Sequence, residues 1–262
     1  MWTRSWVLMA VATAAVPAAS VCQTDEQRGR EIAVRADRLA RGYGDLTARL
    51  TMVLRDRKGR ERRREMRIQV LETEGDGERT LLVFDNPRDL RGTALLTHGN
   101  PSGDDSQWLY LPALKRVKRI ASSGRSGSFM GSEFSYEDIR SQAIARHRYR
   151  LAGEEPLEGD DCWIVERVPR DPESTYSRQL IWIDRSEHRV RRIDYYDRDE
   201  QLLKTLRLKG FRRHLDRFWR PDEMEMVNHQ TSRSTRILWH EYAFGVGLDQ
   251  RDFDRASLEW AG

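Results

Sequence analysis

Six histidines, two cysteines and 42 carboxylates are the side chains of this 262-residue chain that could do acid–base, nucleophilic or metal chemistry. Their spacing argues against all three. His98, His147, His188, His214, His229 and His240 are scattered, with no HxH or HExxH pair to hold zinc. The Ser-Gly-Arg-Ser-Gly run at 123–127 lacks the strand-to-helix setting of a nucleophile elbow and the Lys-Ser/Thr ending of a phosphate loop. The pairs Glu154-Glu155 and Asp160-Asp161 fall in expected turns, where a carboxylate is ordinarily solvated. Cys162, next to Trp163, reads as a small buried hydrophobe. The reading is therefore of a protein that is not an enzyme, with no catalytic residue, cofactor or metal.

What remains is an apolar set. Alternation along expected strands puts Leu50, Met52, Leu54, Met66, Ile68, Val70, Phe84, Trp108, Tyr110, Trp182, Met224 and Met226 on inward positions, and Phe129, Met130 and Phe134 follow a glycine- and serine-rich loop. Methionine adapts to guests of variable shape. These fifteen residues are the candidate lining of a cavity for acyl chains. Each buried methylene contributes about 0.8 kcal/mol, which suits such a ligand. From periodicity alone, an ordinary filled core is the favoured outcome. Lys115, Arg116, Lys118 and Arg119 form a candidate docking patch for lipid phosphates or an acidic partner.

The elements that would position these residues are mostly strands. The first 22 residues read as a signal peptide: Arg4, then an uncharged apolar run over 6–19, then cleavage after Ser20 or Cys22. Val21 and Ala19 do not fit a lipoprotein signal before Cys22, so a soluble exported form is favoured over a lipid-anchored one. Thr24 and Gln27 form a capping-box pattern before Ile32, Ala36, Leu39 and Ala40, which share one helix face. Period-two alternation then predicts strands over 46–54, 66–70, 81–84, 93–97, 107–111 and 117–120, and eight more after residue 148. A mobile loop is expected at 122–128 and a second helix at 135–144, capped by Ser135 and Asp138. With 46 basic and 42 acidic residues, the near-balanced net charge of +4 gives no nucleic-acid footprint. No repeat or linker divides 23–262, which reads as a single domain. An antiparallel sheet of ten or more strands curls, and must close or bend around a cover.

One block is more specific than its pattern. Phe84-Asp85-Asn86-Pro87, the run 91–96, Trp108-Leu109-Tyr110-Leu111-Pro112-Ala113, the run 116–120 and the run 128–138 resemble the bacterial outer membrane lipoprotein-sorting protein family, a branch of the LolA/LolB-like superfamily. The closing segment from Gly247 to Leu258 fits as well. The resemblance implies a mainly β fold, a half-open antiparallel barrel with helices covering its concave side. It also implies a periplasmic carrier that takes lipid or lipoprotein acyl chains toward the outer membrane. An inner-membrane transporter of the RND type is the implied partner, membrane contact is transient and the protein is a monomer. The alternative is an envelope module that senses a lipid or binds a partner without transporting.

Overall fold

In the computed structural model, which describes residues 23–100, 103–140 and 142–260, the chain folds around one thirteen-stranded antiparallel sheet. The expected signal peptide, with Cys22, lies outside these residues. Helix α1 (Asp25–Ala40) leads. Its capping box forms as the sequence predicts: the Gln27 amide donates to Thr24 Oγ1 at 3.2 Å, and the Thr24 amide donates to Gln27 Oε1 at 3.0 Å. Six strands follow as a meander: β1 (Asp45–Arg55), β2 (Glu61–Thr73), β3 (Gly77–Asn86), β4 (Ala94–Gly99), β5 (Ser106–Leu111) and β6 (Arg116–Ile120). A second meander contains β7 (His147–Leu157), β8 (Asp160–Pro169), β9 (Arg178–Asp184), β10 (Val190–Tyr196) and β11 (Leu202–Lys209). The small hairpin β12 (Arg212–His214) and β13 (Phe218–Arg220) then stands apart as its own two-stranded sheet. The chain returns through β14 (Glu223–Asn228) and β15 (Arg233–Phe244), and ends in the short helix α2 (Ser257–Trp260).

Hairpin chemistry sets this register. At the β7–β8 turn, Glu158 and Gly159 both have positive φ, 52° and 93°, the mirror-image turn that matches strand twist. At the β1–β2 turn, Asp56 Oδ1 accepts from the amides of Lys58 (2.8 Å) and Arg60 (3.0 Å). The meanders join at their inner ends, because β1 pairs with β15. The outer ends do not meet: β6 and β7 are the two edges, so the sheet stays open. The segment between them, 121–146, has to cross that opening.

This segment departs from expectation. No α-helix forms over 135–140 or 142–144; the backbone makes short 3-10 turns at Phe129–Gly131 and Ile144–Arg146. The reciprocal Ser135–Asp138 bonds do form, Ser135 N to Asp138 Oδ2 at 2.6 Å and Asp138 N to Ser135 Oγ at 3.2 Å. Asp138 is then engaged by Tyr176 and Lys204, and tertiary bonds outcompete a further turn. The loop at 122–128 is tied down rather than free. Buried Arg125 lies within 3.4 Å of Asp104 and 3.3 Å of Asp171, and the Gly127 carbonyl accepts from the Tyr136 amide.

Both faces of the sheet are covered. On the concave face, Leu50, Met52, Met66, Phe84, Leu95, Leu109, Met226 and Ile237 pack with Phe129, Phe134 and Tyr136 from the crossing segment. Helix α1 covers the β7–β10 half, where Ala33 and Ala36 meet Tyr149, Val165, Ile181 and Ile183. On the convex face, Phe253 and Leu258 from the closing segment pack on Leu81, Val83, Ala94 and Leu96. No helix among the described residues is long and apolar enough to cross a membrane.

Candidate functional site

Most of the lining expected from the sequence is filled by the protein's own side chains. Leu50, Met52, Met66, Ile68, Val70, Phe84, Phe129, Phe134 and Met226 are buried in one cluster, and Leu54, Met130 and Met224 pack against it. Phe84 and Phe129 sit with ring centroids 5.7 Å apart. The Arg64 guanidinium fastens the crossing segment above them, Nη1 donating to the Met130 carbonyl at 2.6 Å.

Three residues belong to other surroundings. Trp108 and Tyr110 pack on the convex cluster under Phe253 and Leu258, and Leu109 faces inward in their place. Trp182 also points away from α1: its neighbours Ile181 and Ile183 face the helix, and its indole donates to Glu155 Oε1 at 2.5 Å while Arg192 lies over the ring at 4.4 Å. Alternation defines two faces but does not say which is inner. Here the closing segment makes the convex face apolar too, and the large aromatics of β5 belong to it.

A mainly apolar open space lies in the other half of the concave side. A cavity of about 340 Å³ sits between α1, the concave face of β7–β11 and the β12–β13 hairpin. That is at the small end of the range for small-molecule sites, roughly 300–1,000 Å³. Ala33, Ala36, Leu39 and Ala40 come from the helix; Tyr149, Ile181, Ile183, Val190 and Leu208 from the sheet; Ile144, Phe211, Trp219 and Pro221 complete the wall. None of the fifteen residues read from the sequence lines it. The helix contributes small side chains, so its backbone approaches β7 closely. At Gly29 an added Cβ would lie 2.4 Å from the carbonyl carbon of Arg150.

Charged groups ring this space. Arg217 and Arg220 donate to the carbonyls at the end of α1, Arg220 Nη2 to Ala40 at 2.9 Å and Arg217 Nη2 to Arg41 at 3.4 Å. Arg189 pairs with fully buried Asp184 at 2.7 Å and lies over the rings of Phe211 and Trp219. Glu187 accepts from the Trp219 indole at 3.0 Å, and Asp37 pairs with Arg41 at 3.0 Å. Arg167 reaches the wall from β8. Beside it, burial and then the Arg167 charge push His147 down to about 2, so the imidazole is neutral. Burial likewise pushes the Tyr149 hydroxyl up.

The candidate docking patch is on the opposite edge strand of the sheet, β6. Lys115, Arg116, Lys118 and Arg119 are exposed on edge strand β6 and the turn before it, and none of the four has an ion-pair partner among the described residues. Positive charge on an edge also deters strand-to-strand aggregation. Cys162 is a free, buried thiol. Glu154, Glu155, Asp160 and Asp161 stand in β7 and β8 rather than in turns. No group of three or more His, Cys, Asp or Glu residues among the described ones is placed to hold a metal ion.

Comparison with known proteins gives several matches. A protein-family model described as "Uncharacterized protein" matches residues 76–260. Among curated proteins, none matches the chain. An outer membrane lipoprotein-sorting protein domain from Vibrio parahaemolyticus is 42% identical, covers 89% of this chain and 99% of its own, and superposes with a TM-score of 0.87. A DUF1329 family protein from Desulfovibrio piger is 32% identical over 90% of this chain and 100% of its own, with a TM-score of 0.85. A LolA superfamily protein from Nitrosomonas europaea shares the fold, with a TM-score of 0.70 at 19% identity over 87% of this chain and 98% of its own.

Proposed function

This chain belongs to the outer membrane lipoprotein-sorting protein family, with a LolA-like open sheet, and on that premise we propose that it is an exported periplasmic carrier for single acyl chains of a lipid or lipoprotein. The observation that carries the reading is the α1 cavity, a mainly apolar, half-open hollow between the helix and the sheet, beside a concave cluster that is packed. Its size suits one chain or part of one, rather than a bundle. The cover is one helix, α1, which meets the sheet through small side chains. Such a contact holds less apolar area than the Phe129–Phe134 cover and is the easier one to lift.

In this reading the protein receives its cargo at the inner membrane, from a transporter of the RND type, and works as a monomer with transient membrane contact. Exposed Lys115, Arg116, Lys118 and Arg119 supply attraction to an anionic surface or an acidic partner. The chemistry asked of the site is burial and release. No side chain is assigned a catalytic role.

The test is native mass spectrometry of the exported protein after gentle purification, alongside Ala36→Trp, which fills the hollow. Bound lipid in the wild type and its loss in the variant support the carrier. A wild type with no lipid, and no uptake from vesicles, overturns it. A lipid-transfer assay between two vesicle populations separates transport from sensing, since a sensor binds without accelerating transfer.

A further inference from the structure

One wall residue of the α1 cavity does not suit a purely hydrocarbon guest. Arg167 is only 7% exposed, on a strand interior. Among the described residues no carboxylate lies within 4 Å of its guanidinium. Three other buried or half-buried cations of this region have carboxylates, Arg189 with Asp184, Arg146 with Asp105 and Arg192 with Asp194, while half-buried Arg220 donates to the Ala40 carbonyl at the end of α1. The partners of Arg167 are neutral. Its Nε donates to Gln179 Oε1 at 2.7 Å, Nη2 shares the same oxygen, and the Tyr149 hydroxyl is the further polar neighbour. His147, the adjacent titratable group, carries no charge. A buried guanidinium is ordinarily paired with an anion, because desolvating it alone is costly. Here the missing anion has a place to come from, since Arg167 is one of the residues lining an apolar hollow.

Resting on the carrier reading, we propose that the α1 cavity takes an amphiphile with an anionic head, a carboxylate or phosphate monoanion, which Arg167 receives while the chain lies against Ile181, Ile183, Val190 and Leu208. The planar fork of arginine suits a two-oxygen anion better than a point charge would. Gln179 holds the fork in place through Nε and Nη2, so Arg167 is a binding residue and Gln179 a positioning one.

The experiment uses the delipidated full mature chain and calorimetric titration at pH 8 with three probes: a sixteen-carbon fatty acid, the sixteen-carbon alcohol and sodium acetate. The acid should bind ten- to a hundredfold more tightly than the alcohol, the range for a hydrogen bond to a charged group. Acetate alone should bind at least a hundredfold more weakly than the acid. Arg167→Gln should bring acid and alcohol to equal affinity, and Arg167→Lys should restore part of the preference. Because it removes an unpaired buried charge, Arg167→Gln should also melt no lower than the wild type, whereas a merely structural arginine would leave a destabilised variant. Equal binding of acid and alcohol by the wild type overturns the head-group assignment and leaves the carrier reading standing. A preference that survives in Arg167→Gln moves the anion site to the outer arginines and overturns the assignment too. Failure of both amphiphiles to bind overturns the carrier reading itself. Acetate binding as tightly as the acid replaces the amphiphile with a small free anion.

Discussion

Lys204 Nζ lies 2.6 Å from Asp138 Oδ2, with only 5% and 2% of the two side chains exposed. Lys204 comes from the concave face of β11 and Asp138 from the segment that crosses the open side of the sheet. Around them, Tyr176 donates to Asp138 Oδ1 at 2.7 Å, Lys204 donates to the Glu133 carbonyl at 3.1 Å, and the Glu133 amide donates to Thr235 Oγ1 at 2.9 Å. The contact closes the half of the sheet that has no helix over it. It also explains why residues 128–138 are a fixed cover rather than a free lid.

Removing one partner of this pair should be far worse than removing both. Asp138→Ala strands a buried ammonium and should cost about 3–5 kcal/mol in a urea unfolding curve. Lys204→Met with Asp138→Leu removes both charges and should recover most of that loss. A single variant within 1 kcal/mol of wild type would mean that the pair is solvated in solution.

Gly29 should tolerate no side chain. Alanine favours a helix over glycine by about 1 kcal/mol. Against this, its Cβ would stand 2.4 Å from the backbone of β7, so the helix or the strand must shift. Overpacking of this kind costs about 1–3 kcal/mol, so Gly29→Ala should lower the melting temperature despite its propensity. In the same variant, the displaced α1 should weaken fatty-acid binding. A raised melting temperature would show that α1 floats on the sheet.

His147 should make the fold acid-sensitive. Its folded pKa is depressed to about 2, first by burial and then by Arg167, while an unfolded histidine titrates near 6.5. Between those values the unfolded chain binds the proton and the folded chain does not. Stability is therefore full above about pH 6.5 and falls as pH drops, by roughly 1.4 kcal/mol per unit. Between pH 7.5 and pH 5, His147→Gln should lose about 2 kcal/mol less than the wild type in denaturant titrations. Parallel curves for the two proteins would contradict a buried neutral imidazole.

Met66 and the edge patch should separate core from surface. Met66 is 1% exposed among Leu50, Phe84 and Phe129, so Met66→Asp should prevent folding rather than merely empty a lipid site. Reversing Lys115, Arg116, Lys118 and Arg119 to glutamate should leave the melting temperature within a few degrees. It should abolish the salt-sensitive part of binding to anionic vesicles in a flotation assay. Unchanged flotation would remove β6 from the docking model.

Much of the fold is legible along the chain because strands and turns are local signals. The alternation in β1 and β2, the capping box of Thr24 and Gln27, and the turns at Asp56 and Glu158-Gly159 each appear where neighbouring residues require them. The helix expected after Ser135 does not form because Asp138, its cap, is claimed by Lys204 and Tyr176, respectively 66 and 38 residues away. No window of sequence contains that competition.

The site divides in the same way. Composition, alternation and family resemblance by themselves determined an open antiparallel sheet with an apolar inner face. Tertiary structure decided which apolar residues stay packed and which leave room. That depends on what lies above each one: bulky Phe129 and Phe134 over Met52 and Phe84, small Ala33 and Ala36 over Ile181 and Ile183. It also decided that Arg167, one of 46 basic residues in the sequence, faces that room without a carboxylate. Burial and pairing are properties of residues distant in the chain, and a hollow is defined by the side chains that fail to meet across it.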